Sequence, residues 1–304
     1  MRGSQSKRRS PSRALVVTFI ALVGALLPAV GLLNEGVAGA ATTSTNFYLA
    51  LGASESVGVQ PTAVLPRGQR TDQGYANDLI TYEAARGVAM QLTQLGCPGE
   101  TTMSMMSGVD RCYTNADTQF NEALSFLRSH QGASGIVTID LGFNDVHHCF
   151  HDGVVDQACV QNKINAVSQM LPTILTSLKN VSGPGVTFVG LGHYDPYLAY
   201  ALNGPAGQQF AQATVTAIDS LNAALRSVYA NAGVAMATVG PAFEIRDLVR
   251  VRLTGRGLVP ENVANVCALT WMCQAPPFGP NLHPNAAGYA TIATAIESVL
   301  KAPW

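Results

Sequence analysis

Helices packed on both faces of a five-stranded parallel sheet, a three-layer α/β/α sandwich, are what this 304-residue chain predicts. Two observations lead there. Short runs rich in β-branched residues recur, several of them bracketed by glycine, as buried parallel strands are. Between them lie longer stretches with apolar residues at three- and four-residue steps, the period of an amphipathic helix. Such alternation gives a parallel sheet covered on both sides. Right-handed crossovers leave few strand orders, and the flavodoxin-like 2-1-3-4-5 is the expected one.

The elements follow in order. Residues 47–51 form the first strand and residues 88–95, with imperfect alternation, the second; residues 135–141, 185–191 and 233–239 are the remaining three. Helical periodicity runs over residues 118–130, 157–179 and 207–230. In the middle helix Val160, Ile164, Val167, Leu171, Ile174 and Leu178 share one face, and Pro172 should kink or interrupt it. A last helix covers residues 285–300. Residues 241–280, rich in Gly, Pro and charge, are expected to be a long irregular region over one sheet edge.

The first 40 residues read as a leader and not as fold. Arg2, Lys7, Arg8, Arg9 and Arg13 are followed by an apolar stretch, and Ala38-Gly39-Ala40 has the small-residue pattern of a signal-peptidase site. An uncleaved anchor is the rival reading; Gly24, Pro28, Gly31 and the cleavage pattern weigh against it. Cleavage near Ala40 would release residues 41–304 as one secreted domain without stable membrane insertion. The net charge is −1, and no Lys/Arg run follows residue 40, which argues against nucleic acid as a partner. Six cysteines in an exported chain imply disulfides, and their spacing suggests local pairs: Cys97–Cys112, Cys149–Cys159 and Cys267–Cys273.

Ligands of doubly wound sheets bind beyond the carboxyl ends of the strands, where strand order reverses. Ser54 follows the first strand, Gly99 the second and Asn144 the third, while His283 opens the last helix. Together they offer a nucleophile, a base and donors for a developing oxyanion: the Ser54 and Gly99 backbone N–H groups and the Asn144 amide. Ser56 is an alternative nucleophile, further from the strand end, and Ser54 could instead be a helix cap. His193, after the fourth strand, should face the same edge and contact substrate.

In this order the four residues resemble the markers of the SGNH hydrolases, also called GDSL esterases and lipases. The resemblance covers nearly all of the chain after the leader. It implies the SGNH form of the α/β/α fold and hydrolysis of carboxylic esters through an acyl-enzyme, on a small-molecule or lipid substrate. Two departures stand out: Gly-Ala-Ser replaces the family's Gly-Asp-Ser, and Pro280 stands where an acid usually precedes the histidine by three residues. The expected form is therefore a Ser54–His283 dyad oriented by the Pro280 backbone carbonyl. A carboxylate from elsewhere is the alternative, and the sequence singles none out. Deacetylation of an acetylated glycan would use the same site, and a non-catalytic surface- or carbohydrate-binding domain could use the same fold. His147, His148, Cys149, His151 and Asp152 invite a metal reading, but a bridged Cys149 is unavailable as a ligand. No metal or cofactor, and a monomer, are the expectations.

Overall fold

The computed structural model describes residues 46–108, 112–113, 117–244 and 246–300. The expected leader, residues 1–40, and its cleavage site lie outside the described residues. Strand β1 (Phe47–Gly52) leads through α1 (Tyr75–Ala85) to β2 (Gln91–Gln94), then α2 (Thr102–Ser107), α3 (Gln119–Ser129) and β3 (Gly135–Asp140). After α4 (Phe143–His147) come a small hairpin, β4 (Phe150–His151) with β5 (Val154–Val155), and α5 (Gln157–Val181). Then follow β6 (Val186–Leu191), α6 (Gly204–Asn231), β7 (Ala235–Ala237) and α7 (Val239–Ala242). A second hairpin of β8 (Arg250–Leu253) and β9 (Gly257–Pro260), α8 (Glu261–Leu269) and α9 (Ala286–Glu297) complete the order.

The main sheet runs β2-β1-β3-β6-β7, parallel throughout, which is the expected order among its five strands. Alternation of side chains along each strand divides the core. Phe47, Leu49, Leu51, Val137 and Ile139 point to the layer of α3, α5 and α6, against Leu127, Leu171 and Leu221. Tyr48, Ala50, Ile136 and Leu191 point to the opposite layer, against Tyr75 and Leu79 of α1 and Tyr289, Ile292 and Ile296 of α9. Both faces of β1 and β3 are thus buried, and the apolar runs need no polar alternation.

Several local expectations change. Pro172 does not interrupt α5, which continues from Gln157 to Val181; Leu171, Ile174 and Leu175 are fully buried around it, and that packing holds the turn. The second strand is confined to Gln91–Gln94 and the fifth to Ala235–Ala237. The region 241–280 is not irregular: it contains β8, β9 and α8. All three expected disulfides are present, with Cα–Cα separations of 5.8 Å (Cys97–Cys112), 5.7 Å (Cys149–Cys159) and 5.0 Å (Cys267–Cys273). Among the described residues no helix is long and apolar enough to cross a membrane.

Candidate active site

Strand β1 ends against β3 at a position only glycine can fill. Gly52 has φ +118°, and a Cβ there would lie 2.0 Å from the Asp140 carbonyl oxygen. Buried Gln119 grips the same residue from both sides: Gly52 N–H donates to its Oε1 at 2.6 Å, and its Nε2 donates to the Gly52 carbonyl at 2.9 Å. Gln119 Nε2 also reaches Glu100 Oε2 at 2.8 Å, joining the end of β1 to the loop after β2. The strand end is therefore a fixed platform.

Ser54 leaves that platform as the first residue of a short turn over Glu55–Val57. Its carbonyl accepts from Val59 N–H at 3.1 Å, but its hydroxyl makes no capping bond. Ser56 is fully buried, and its hydroxyl donates to the Ala53 carbonyl at 2.7 Å. Of the two serines, Ser54 alone keeps an uncommitted hydroxyl.

Gly99 adopts φ +92°, and nothing lies within 4 Å of the place a Cβ would take. Its backbone therefore borders open space that a ligand can enter. Asn144, in the first turn of α4, donates one amide hydrogen to the Glu100 carbonyl at 3.0 Å, which leaves the other hydrogen for a second acceptor. Next to it Asp145 accepts from Thr102 N–H at 3.1 Å and the Thr102 hydroxyl at 2.7 Å. Asp145 thus ties the start of α2 to α4. Burial raises its pKa, and the Thr102 bonds oppose that shift.

His283 sits between α8 and α9, and its acceptor differs from expectation. Nδ1 contacts Asn281 Oδ1 at 2.7 Å, and the same oxygen accepts from His283 N–H at 3.0 Å. The Pro280 carbonyl is therefore not the orienting group. An Asn side chain readily folds back onto the N–H two residues on, and here it captures the ring as well. The amide orientation follows from its other end, since Nδ2 donates to the Pro66 carbonyl at 2.9 Å. With Asn281 Oδ1 able only to accept, Nδ1 carries the proton and Nε2 is the basic nitrogen. Burial, with a smaller contribution from nearby His147, pulls the His283 pKa down to about 4, so the imidazole is neutral at ordinary pH.

The loop carrying His283 and the turn carrying Ser54 share a connection. The Tyr194 hydroxyl donates to the Leu282 carbonyl at 2.7 Å and also interacts with Glu55, the residue after Ser54. Ser54 and His283 make no direct hydrogen bond. His193 does not reach the rim as expected. It is 1% exposed, with Nε2 on the Leu141 carbonyl at 3.0 Å. Nor do the residues of the 147–152 cluster converge on a point: Cys149 is bridged, His151 faces Asp152 at the surface, and His147 approaches the Tyr197 hydroxyl at 3.3 Å. Sequence reasoning missed Asn281 and Gln119. Asn two residues before a loop histidine was the available signal for the first; nothing local marks the second.

Comparison with known proteins agrees with this architecture. The model of the GDSL-like Lipase/Acylhydrolase family matches residues 50–291. Phospholipase A1 from Streptomyces albidoflavus NA297 is similar in structure, with TM-score 0.52 and 21% identity over 84% of this chain and 99% of that one. An extracellular lipase from Streptomyces rimosus has TM-score 0.52 and 21% identity, covering 83% of this chain and 99% of its own. No curated protein matches the chain. The two structures, at this identity, speak for the fold; the family match spans most of the sequence, and the chain belongs to the GDSL-like Lipase/Acylhydrolase family.

Proposed function

We propose that residues 41–304 are an exported serine hydrolase that cleaves carboxylic esters, with Ser54 as nucleophile and His283 as base. The observation that carries this reading is the His283 tautomer: Asn281 holds the proton on Nδ1 and leaves Nε2 free, in a loop linked through Tyr194 to the turn bearing an uncommitted serine. His283 Nε2 takes the Ser54 proton as Oγ attacks the carbonyl carbon. The N–H groups of Ser54 and Gly99, which have no partner among the described residues, and the spare Asn144 hydrogen stabilise the oxyanion. Protonated His283 then returns its proton to the leaving alcohol, and water repeats the sequence on the acyl-enzyme. Export is supported by the leader pattern and by three disulfides.

The test is labelling with a fluorophosphonate together with a panel of p-nitrophenyl esters from acetate to palmitate. Ser54→Ala should lose both labelling and turnover while keeping its circular dichroism spectrum. An adduct on Ser56, or undiminished turnover in Ser54→Ala, would reject the assignment.

A further inference from the structure

Beside the Ser54 turn lies a second group of titratable side chains that ester hydrolysis does not use. Glu55 opens the turn, Asp140 ends β3, and His193 follows β6. One ligand atom from each lies within 4.8 Å of the others. Asp140 and His193 are 2% and 1% exposed.

The His193 tautomer defines the problem. Its Nε2 lies 3.0 Å from the Leu141 carbonyl, which can only accept, so Nε2 carries the proton. With the proton on Nε2 and no donor or acceptor bonded at Nδ1, the neutral ring presents a lone pair there. That lone pair faces Asp140 Oδ1 at 3.9 Å. Glu55 Oε2, Asp140 Oδ2 and His193 Nδ1 are all buried with no hydrogen-bond partner among the described residues. The Tyr194 hydroxyl near Glu55 gives its proton to the Leu282 carbonyl. No Lys or Arg among the described residues forms an ion pair with either carboxylate. The Asp140 carboxylate also meets the backbone N–H groups of Ala53, Glu55 and Ser56, and Glu55 meets Tyr194, yet the three facing atoms named above still have no donor between them, an arrangement that is costly in a buried place.

A single cation satisfies all three. We propose that Glu55, Asp140 and His193 hold one divalent metal ion of the zinc or manganese class, tying the nucleophile turn to the ends of β3 and β6. One imidazole nitrogen with two carboxylate oxygens is a donor set these ions accept, whereas Mg²⁺ and Ca²⁺ favour oxygen alone. The Nε2–H bond to a backbone carbonyl is the usual outer contact of a ligating histidine. The role is structural, since neither Ser54 nor His283 is a ligand, and the site does not depend on the hydrolase reading.

Untagged full-length protein loaded with Zn²⁺ or Mn²⁺ and passed through gel filtration is the material for the test. Plasma mass spectrometry should find about one ion per chain. Stripping with dipicolinate in mild urea, followed by removal of the urea, should lower Tm by about 5 °C or more, and one equivalent of Zn²⁺ or Mn²⁺ should restore it. Glu55→Gln should retain roughly tenfold less metal and lose the Tm response. His151→Ala, which alters only exposed histidine, should keep both. If wild type retains less than about a tenth of an ion and its Tm ignores metal and chelator, the proposal fails and shared protons satisfy the cluster. Retention of Ca²⁺ or Mg²⁺ alone would equally overturn it. Should Glu55→Gln not fold, loading of the wild-type chain decides the question by itself.

Discussion

Replacing Asn281 by alanine deletes the one acceptor that both Nδ1–H and N–H of His283 use, at 2.7 and 3.0 Å. The backbone bond is the same before and during reaction, so its loss affects stability more than rate. The ring bond strengthens as the imidazolium forms, and a hydrogen bond to a charged group contributes about 1.5–3 kcal/mol. At 1.36 kcal/mol per decade, Asn281→Ala should lose roughly 10- to 150-fold in kcat/KM. That is less than the roughly 10⁴-fold loss that follows removal of a triad carboxylate, because a neutral amide stabilises the cation less. Asn281→Asp supplies the sign test. The base works only when neutral, so activity falls as pH drops through its pKa, about 4 in the native enzyme. A carboxylate in contact with the ring favours the imidazolium and raises that pKa. Asn281→Asp should therefore lose activity at a higher pH than wild type and keep a smaller share of its pH 8 rate at pH 5. The assay is kcat/KM on a soluble short-chain p-nitrophenyl ester from pH 4 to 8, with circular dichroism as the control for folding. A kcat/KM of Asn281→Ala within about twofold of wild type, or an unmoved acid limb in Asn281→Asp, would refute the orienting role.

Gln119→Ala should lower stability by about 1–3 kcal/mol in urea denaturation, because it leaves the buried Gly52 N–H without an acceptor while the Gly52 carbonyl keeps the Cys97 N–H; a loss below about 0.5 kcal/mol would show that the strand end does not need the clamp. Asp145→Asn should loosen α2 yet leave turnover within about tenfold of wild type, since its carboxylate is occupied by Thr102. A folded Asp145→Asn enzyme as inactive as His283→Ala would instead reveal it as a hidden catalytic acid. Reductant should destabilise the protein by about 2–4 kcal/mol per bridge opened, read as a fall in Tm; an unchanged Tm after full reduction, verified by thiol titration, would contradict this.

The sheet order was legible because the β-branched runs are buried on both faces and carry an unmixed signal. The cysteine pairs were legible for a related reason, since each closes a short loop that only a local bridge can span. Where polar and apolar residues mix, the reading weakened. Arg250-Val251-Arg252-Leu253 alternates as a strand should, but its charge and the glycines beside it resembled a loop. Helix α1 buries only Tyr75, Ala76, Leu79 and Glu83, too sparse a stripe to announce itself. At the site, Ser54, Gly99, Asn144 and His283 were singled out by their order along the chain, after strand ends or before the last helix, together with its resemblance to the SGNH markers. The acceptor for His283 was not legible, because a backbone carbonyl and a side-chain amide one residue apart can serve the same N–H. His193 was misjudged for a different reason: the main chain bends after β6, and Asn222 of α6 pins the backbone on both sides of the residue at 2.8 Å, turning the ring inward.

Trp271 donates its backbone N–H to the His283 carbonyl at 3.1 Å and stacks on Phe278 at 5.8 Å. The chain holds only one other tryptophan, Trp304. A Trp304→Phe protein therefore has one fluorophore, an indole attached to the segment that carries His283, the proposed base. Its emission can follow that segment in real time through substrate encounter, acylation and opening of the neighbouring Cys267–Cys273 bridge, with no dye and no change to any group that touches the ester.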